Sequence, residues 1–112
     1  MEGFAATTRI EGTTAVVDMS GLLDRAAEPV LAAAFGAALE SGSGPIAFNF
    51  THVGYINSTG IALVVGALVK ARASGRPVRA FGLTDHYREI FTITRLSDFM
   101  GIFEDETAAV AG

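Results

Sequence analysis

Three consecutive polar side chains, Asn57, Ser58 and Thr59, are the best candidates for chemistry in this chain. They follow the end of a predicted strand and precede an almost wholly apolar run that begins at Gly60. Each can cap a helix, because its side-chain oxygen can accept a hydrogen bond from a free backbone N–H of the first turn. One cap needs only one such residue. Since a helix N-terminus also favours negative charge, a hydroxyl there lies where a phosphate can be accommodated.

The simpler interpretation is that this polar cluster is ordinary loop chemistry between a strand and a helix. The helix that follows bears on the choice. At helical spacing, one face carries an apolar core stripe, Ile61, Val64, Val65 and Leu68. Leu63 falls on the opposite side, where a one-sided surface helix would place a polar residue. Either the helix is buried on both sides, or its outer face meets a partner.

Residues for other kinds of chemistry are scarce. Neither histidine belongs to a metal-ligand set, because His52 has no ligand three or four residues away, His86 has only Glu89, and the chain has no cysteine. No nucleophile elbow, Walker loop or dinucleotide fingerprint is present. A Ser58 nucleophile would need a base with its own orienting group, and only His52 offers itself. We therefore expect a binding module that is not an enzyme and that uses no metal or cofactor.

Charge and hydropathy exclude several partners. The formal net charge of −4 argues against a nucleic-acid binder. The apolar run 60–69 is too short to insert into a membrane, and the first residues do not resemble a signal peptide. The absence of cysteine fits a cytoplasmic location. The clustered bases Lys70, Arg72, Arg76 and Arg79 are interpreted as a helix C-terminus followed by a solvated loop.

The elements that must position these residues alternate between strand and helix after an initial hairpin. Strands are predicted over 4–10, 14–19, 46–50, 78–82 and 99–103, with Ser20-Gly21 ending the second. Helices are predicted from near Ala26 or Ala27, after the polar cluster, from Thr84 or Asp85, and over 104–110. This order predicts one α/β domain over 1–112, with a core at about 4–110. We expect a mixed, mostly parallel sheet of four to five strands packed against about four helices.

Three segments in order carry a resemblance to a known family. Asn57-Ser58-Thr59-Gly60, between Ile56 and Ile61, resembles the Ser-Ser/Thr-Gly motif that opens the second helix of STAS domains. The segment 20–24 with Pro29 is similar to the family's entry to its first helix, and the segment 91–96 to its third-helix exit. The resemblance extends over nearly the whole chain and is strongest to the bacterial anti-sigma-factor antagonists.

This resemblance implies a phosphorylation switch. It implies that Ser58 is phosphorylated by an anti-sigma factor of the GHKL serine-kinase type, with Thr59 as a backup acceptor. The unphosphorylated domain would bind that kinase, and a PP2C-type phosphatase would reset it. The partner-binding residues implied or expected are Asp24, Asn57, Ser58, Thr59, Gly60 and Leu63. A weak homodimer is left open.

One position departs from the family pattern. The acidic residue that usually precedes the serine is Asn57 here. Asparagine can still cap the helix, but it offers no charge for a kinase to read. The alternative function is therefore a non-phosphorylated STAS scaffold, or a subunit of a signalling, lipid-transport or transporter complex. A small-ligand-binding module is a third option, for which the sequence has no motif.

Overall fold

The computed structural model describes residues 3–111, which form a five-stranded sheet with helices on both faces. The strands are β1 (Ala5–Glu11), β2 (Thr14–Leu23), β3 (Ile46–Ile56), β4 (Val78–Phe81) and β5 (Gly101–Phe103). The helices are α1 (Glu28–Glu40), α2 (Ser58–Ala73), α3 (Asp85–Ile93) and α4 (Glu106–Ala111). The strands lie in sequence order, β1 antiparallel to β2 and every later pair parallel. This confirms the predicted α/β fold with an N-terminal hairpin.

The alternation of side chains along the strands divides the core into two layers. One face of β2, including Val17 and Met19, packs with residues of α1, α2 and α3 around the fully buried Phe48. The other face carries a smaller cluster in which Val16, Ala47 and Phe81 pack against Ala109 of α4. Within residues 3–111, no helix is long and apolar enough to cross a membrane.

The two central strands are longer than predicted. β2 does not end at Ser20-Gly21 but continues to Leu23. Its pairing with β3 resumes after irregularities on either side of Ser20-Gly21, and it reaches the pair Leu23–Ile56. β4, in contrast, pairs with β3 only as far as Asn49. The ends of β2 and β3 therefore project together beyond the rest of the sheet.

The buried face of α2 differs from the predicted one by a rotation about the helix axis. The buried residues are Gly60, Val64, Ala67, Leu68 and Ala71, whereas Val65 is 39% exposed. Leu63 is half-buried and lines a cleft between α2 and α1. The reason is that α2 rests on the sheet below and on α1 at its side, so its buried sector is wider than one stripe. Burial on a second side accounts for part of the Leu63 side chain, and its contact with a partner stays a prediction.

The predicted start of α1 is correct to within one or two residues, whereas the predicted solvent exposure of Arg76 is wrong. α1 begins at Glu28, because residues Arg25–Ala27 form a separate turn of 3-10 helix before it. Arg76 is not in a solvated loop: it is 4% exposed, and its guanidinium donates to the carbonyls of Ala38, Leu39 and Gly44. The bonds to Ala38 and Leu39 satisfy carbonyl groups in the last turn of α1, where the helix lacks N–H partners.

Candidate functional site

The candidate site is the N-terminus of α2, held at the projecting ends of β2 and β3. The backbone N–H of Asn57 donates to the carbonyl of Leu23 at 3.3 Å, which continues the strand pairing by one more bond. Asn57 is itself extended, with φ −99° and ψ −176°. Its side-chain Oδ1 accepts from the N–H of Gly60 at 2.8 Å, so Asn57 is the helix cap among the three predicted candidates.

Gly60 fixes how closely the helix approaches the sheet. It is buried in the first turn of α2. A Cβ built on it would collide with the carbonyl oxygen of Leu23 and would lie 2.9 Å from the carbonyl carbon and 3.1 Å from Cγ2 of Ile56. Only glycine allows this contact, because it has no Cβ. The glycine therefore sets the position of the preceding polar residues relative to the ends of the strands.

Ser58 is the first residue of α2, and its side chain is exposed. Its hydroxyl makes no side-chain hydrogen bond to any residue within 3–111. The helix geometry leaves the N–H groups of Ser58 and Thr59 without an intrahelical acceptor. No carboxylate lies on α2 between Ser58 and Ala73. An exposed hydroxyl at a helix N-terminus, without a local negative charge on that helix, can accommodate a phosphate.

The other predicted site residues divide into two groups. Asp24 directly follows Leu23, so it lies at the same end of the sheet as Asn57, and its Oδ1 accepts from the N–H of Ala26 at 3.0 Å. This carboxylate thereby caps the 3-10 turn that leads into α1. Leu63 is set apart from them in the α1–α2 cleft. The structure thus brings Asp24 together with the polar cluster and places Leu63 to one side.

Tyr87 on α3 makes a contact with the site that the sequence analysis did not predict. Its hydroxyl accepts a hydrogen bond from the N–H of Ile56 at 2.9 Å. That N–H belongs to the part of β3 that extends beyond β4. The signal available in the sequence was the residue type, because a tyrosine hydroxyl at a largely buried position usually needs a hydrogen-bond partner.

The side chains with the most strongly shifted pKa values lie on the face of the sheet that packs against α4. Arg9 on β1 donates to Asp18 on β2 at 2.7 Å and to Glu106 on α4 at 2.6 Å. Hydrogen bonding to this guanidinium lowers the pKa of both carboxyls, and the two carboxylates raise the pKa of Arg9. Asn49 adds a donor to Asp18 at 2.8 Å. The cluster ties α4 to the sheet and lies apart from Ser58.

Comparisons with known proteins were consistent with this geometry. A family model described as "Mlab, STAS domain" matches residues 6–103. An anti-sigma-B factor antagonist of Staphylococcus aureus is 31% identical over 88 residues, covering 79% of this chain and 82% of that protein.

Two solved structures share the fold of this chain. An anti-sigma factor antagonist from Mycobacterium paratuberculosis superposes with a TM-score of 0.79 at 21% identity, covering 97% of this chain and 92% of that one. The Bacillus cell fate determinant SpoIIAA, solved in its phosphorylated form, gives 0.70 at 22% identity, with 96% and 98% covered. The second structure is that of a phosphorylated protein with the same fold.

Proposed function

This chain belongs to the STAS domain family, among the anti-sigma-factor antagonists, and we propose that it is a binding module switched by phosphorylation at Ser58. In this proposal the unphosphorylated chain sequesters an anti-sigma factor that is itself a GHKL-type serine kinase. A PP2C-type phosphatase removes the phosphate and restores binding. The switch operates in the cytoplasm, and the chain itself catalyses no reaction.

The observation that carries the proposal is the placement of the Ser58 hydroxyl. It is exposed at the first position of a sixteen-residue helix, where a kinase can reach it. Thr59, the backup acceptor, is half-buried beside it and is less accessible. A transferred phosphate would add about −1.5 to −2 charges at pH 7. The partial positive charge of the helix N-terminus and its free N–H groups would stabilise that charge.

Because the fold accommodates the phosphate, we propose that switching acts on the partner rather than on the stability of the domain. Asp24, Ser58 and Thr59 lie at one end of the sheet and form the contact surface. Gly60 is buried and contributes by setting the position of the helix. Phosphate charge and bulk at Ser58 would then repel a partner that docks on this end, while the core beneath remains unchanged.

The test is the intact mass of the chain after incubation with the serine-kinase anti-sigma factor of the same bacterium and ATP. The expected result is the gain of one phosphate, lost in Ser58→Ala and kept in Thr59→Ala. A phosphate that persists in Ser58→Ala and disappears in Thr59→Ala would move the acceptor to Thr59. No phosphate on the wild-type chain, together with a stable complex, would overturn the switch.

A second candidate function is favoured by Asn57. Without an acid before Ser58, the chain would serve as a non-phosphorylated STAS scaffold or as a subunit of a signalling, lipid-transport or transporter complex. Asn57 already caps the helix, because its Oδ1 accepts a hydrogen bond of 2.8 Å from the N–H of Gly60. A complex that forms equally well with wild-type and Ser58→Asp chains would favour this function over the switch.

A further inference from the structure

One exposed face of α2 connects Ser58 to the opposite end of the helix. This face consists of five exposed side chains spaced three or four residues apart, which are Ser58, Ala62, Val65, Val69 and Arg72. At 100° per residue, they fall within a sector of about 80°, and the line from Ser58 to Arg72 is about 21 Å long. We call this set of five residues the α2 stripe. Its middle is apolar, and its ends are polar or charged.

The far half of the α2 stripe borders an apolar groove. Val65 and Val69 form one wall, Phe99 the other, and the buried Leu68 and Leu96 line it. The groove has a volume of about 350 Å³. Val69 is 61% exposed and Phe99 51% exposed. Large apolar side chains gathered in this way, rather than scattered singly, mark an interaction surface.

The charges around this groove are positive or already paired. Arg72 lies over the ring of Phe99, with its guanidinium carbon 5.2 Å from the ring centroid. Arg95 on the rim donates to Asp98 at 2.8 Å, so that carboxylate is occupied. α2 itself contributes no carboxylate. In a chain whose formal net charge is −4, this is a local surface that suits an acidic partner.

We propose that the groove receives an amphipathic helix of the anti-sigma factor, with an apolar face on Val65, Val69 and Phe99 and acidic residues beside Arg72. This inference rests on the proposed function, because it assigns the same partner to both ends of the α2 stripe. In helix-in-groove recognition the incoming helix places apolar residues at i, i+3 or i+4, and i+7. Val65 and Val69, four residues apart on α2, form a ridge against which such residues can pack. The groove supplies affinity, and Ser58 supplies the switch.

Two other occupants fit the charges less well. A second copy of this chain, docked through the same face, would bring an α2 stripe that has no carboxylate to neutralise Arg72. An anionic lipid surface would meet a chain with a net charge of −4, whose only bases on α2 are Lys70 and Arg72. Both are outcomes of the test, because sedimentation of the chain alone detects a second copy, and co-sedimentation with vesicles that contain an anionic phospholipid detects a lipid surface.

The experiment titrates the purified serine-kinase anti-sigma factor into wild-type chain and into Val69→Glu, Val69→Lys and Arg72→Glu variants by calorimetry. Val30→Glu is the matched control, because Val30 is a valine on α1 that is also exposed, at 38%. Circular dichroism checks that each variant is folded. We expect Val69→Glu and Arg72→Glu to weaken binding by about tenfold or more, the size expected for a central interface residue. Val69→Lys should weaken it less than Val69→Glu.

The outcomes distinguish this inference from the proposed function. If the wild-type chain does not bind the anti-sigma factor, both fail. If it binds, but Val69→Glu and Val30→Glu bind equally well, only the groove assignment fails. An equal loss for Val69→Glu and Val69→Lys would contradict an acidic partner helix. A wild-type chain that sediments alone as a dimer, and as a monomer after Val69→Glu, would assign the groove to a second copy instead.

Discussion

The hydroxyl of Tyr87 replaces a strand partner for the N–H of Ile56, which lies two residues before Ser58. β3 extends to Ile56, whereas β4 pairs with it only up to Asn49. The last residues of β3 therefore have β2 as a neighbour on one edge and, among the described residues, no strand on the other edge. The 2.9 Å bond from Ile56 to Tyr87 therefore ties α3 to the strand end that carries the site. A change on α3 can thus alter the candidate phosphorylation site without touching it.

Replacing Tyr87 with phenylalanine should loosen the site. The ring is kept, but the buried N–H of Ile56 loses its acceptor, which should cost about 1–3 kcal/mol of unfolding free energy. Denaturant unfolding gives that free energy, and amide exchange should show faster exchange at 56–60. Tyr55→Phe is the control, because Tyr55 is 49% exposed and its hydroxyl makes no such bond within residues 3–111. Equal stability of the two variants would contradict this role.

Two glycines of α2 should respond oppositely to alanine. Gly60→Ala places a Cβ against the carbonyl of Leu23 and should destabilise the fold by about 1–3 kcal/mol. Gly66→Ala meets nothing within 4 Å and should stabilise the helix by up to about 1 kcal/mol. Thermal unfolding of the pair measures both effects. A Gly60→Ala chain as stable as Gly66→Ala would show that the close approach at Leu23 is not required.

Asn57 allows the capping role to be separated from the charge role. Asn57→Ala removes the bond to the N–H of Gly60 and should cost about 0.5–2 kcal/mol. Asn57→Asp keeps an acceptor oxygen and places a negative charge at the helix N-terminus, so stability should be maintained. If the kinase reads an acid beside Ser58, Asn57→Asp should also be phosphorylated faster than the wild-type chain. Equal phosphorylation rates would show that the acid is dispensable.

The sequence predicts features set by neighbouring residues better than features set by distant ones. The polar cluster, the Thr84 cap and the strand–helix order follow from local residue types, and the structure confirms the Thr84 cap, with its hydroxyl accepting from Tyr87 at 3.3 Å. The continuation of β2 past Gly21 was missed, because glycine usually ends a strand unless a neighbouring strand holds it. Here β3 supplies that neighbour through the pair Gly21–Val53.

The errors on α2 and at Arg76 have the same origin. Periodicity assigns one buried face to a helix, but it cannot state that α1 will pack at its side and partly cover Leu63 while Val65 stays exposed. Arg76 looked solvated because its acceptors, the carbonyls of Ala38 and Leu39, are more than thirty residues away. The α2 stripe could be recognised only after these contacts had fixed which face of the helix remains open.

Ser58→Asp should separate stability from binding. An acidic side chain at the first position of α2 interacts favourably with the helix dipole, so the melting temperature should be unchanged or slightly raised, by the equivalent of about 0.3–1 kcal/mol. The same charge should prevent the complex with the anti-sigma factor. Differential scanning calorimetry and a binding titration measure the two effects. A Ser58→Asp chain that unfolds would contradict a switch that acts on the partner alone.

The Arg9 cluster should make the attachment of α4 sensitive to acid. The guanidinium lowers the pKa of Asp18 and of Glu106, so both carboxyls bind protons less readily in the folded chain than in the unfolded one. The two carboxylates therefore contribute their full stabilisation at pH values above the pKa values of the unfolded chain, which are about 4. This stabilisation is lost as pH falls further, through the folded values. Each partner is about one-third exposed, so solvent screening keeps the effect modest.

Arg9→Gln should remove that part of the acid response. Chemical denaturation at neutral pH and below pH 4 should show a smaller drop in stability for this variant than for the wild-type chain, with faster amide exchange in α4 already at neutral pH. Arg95→Gln is the matched control, because its pair with Asp98 is on the surface, with 79% of the Arg95 side chain exposed. If Arg9→Gln and Arg95→Gln lose stability with pH in the same way as the wild-type chain, the cluster does not hold α4. Since α4 packs on the face opposite α1, α2 and α3, the loosened helix should leave phosphorylation of Ser58 unchanged.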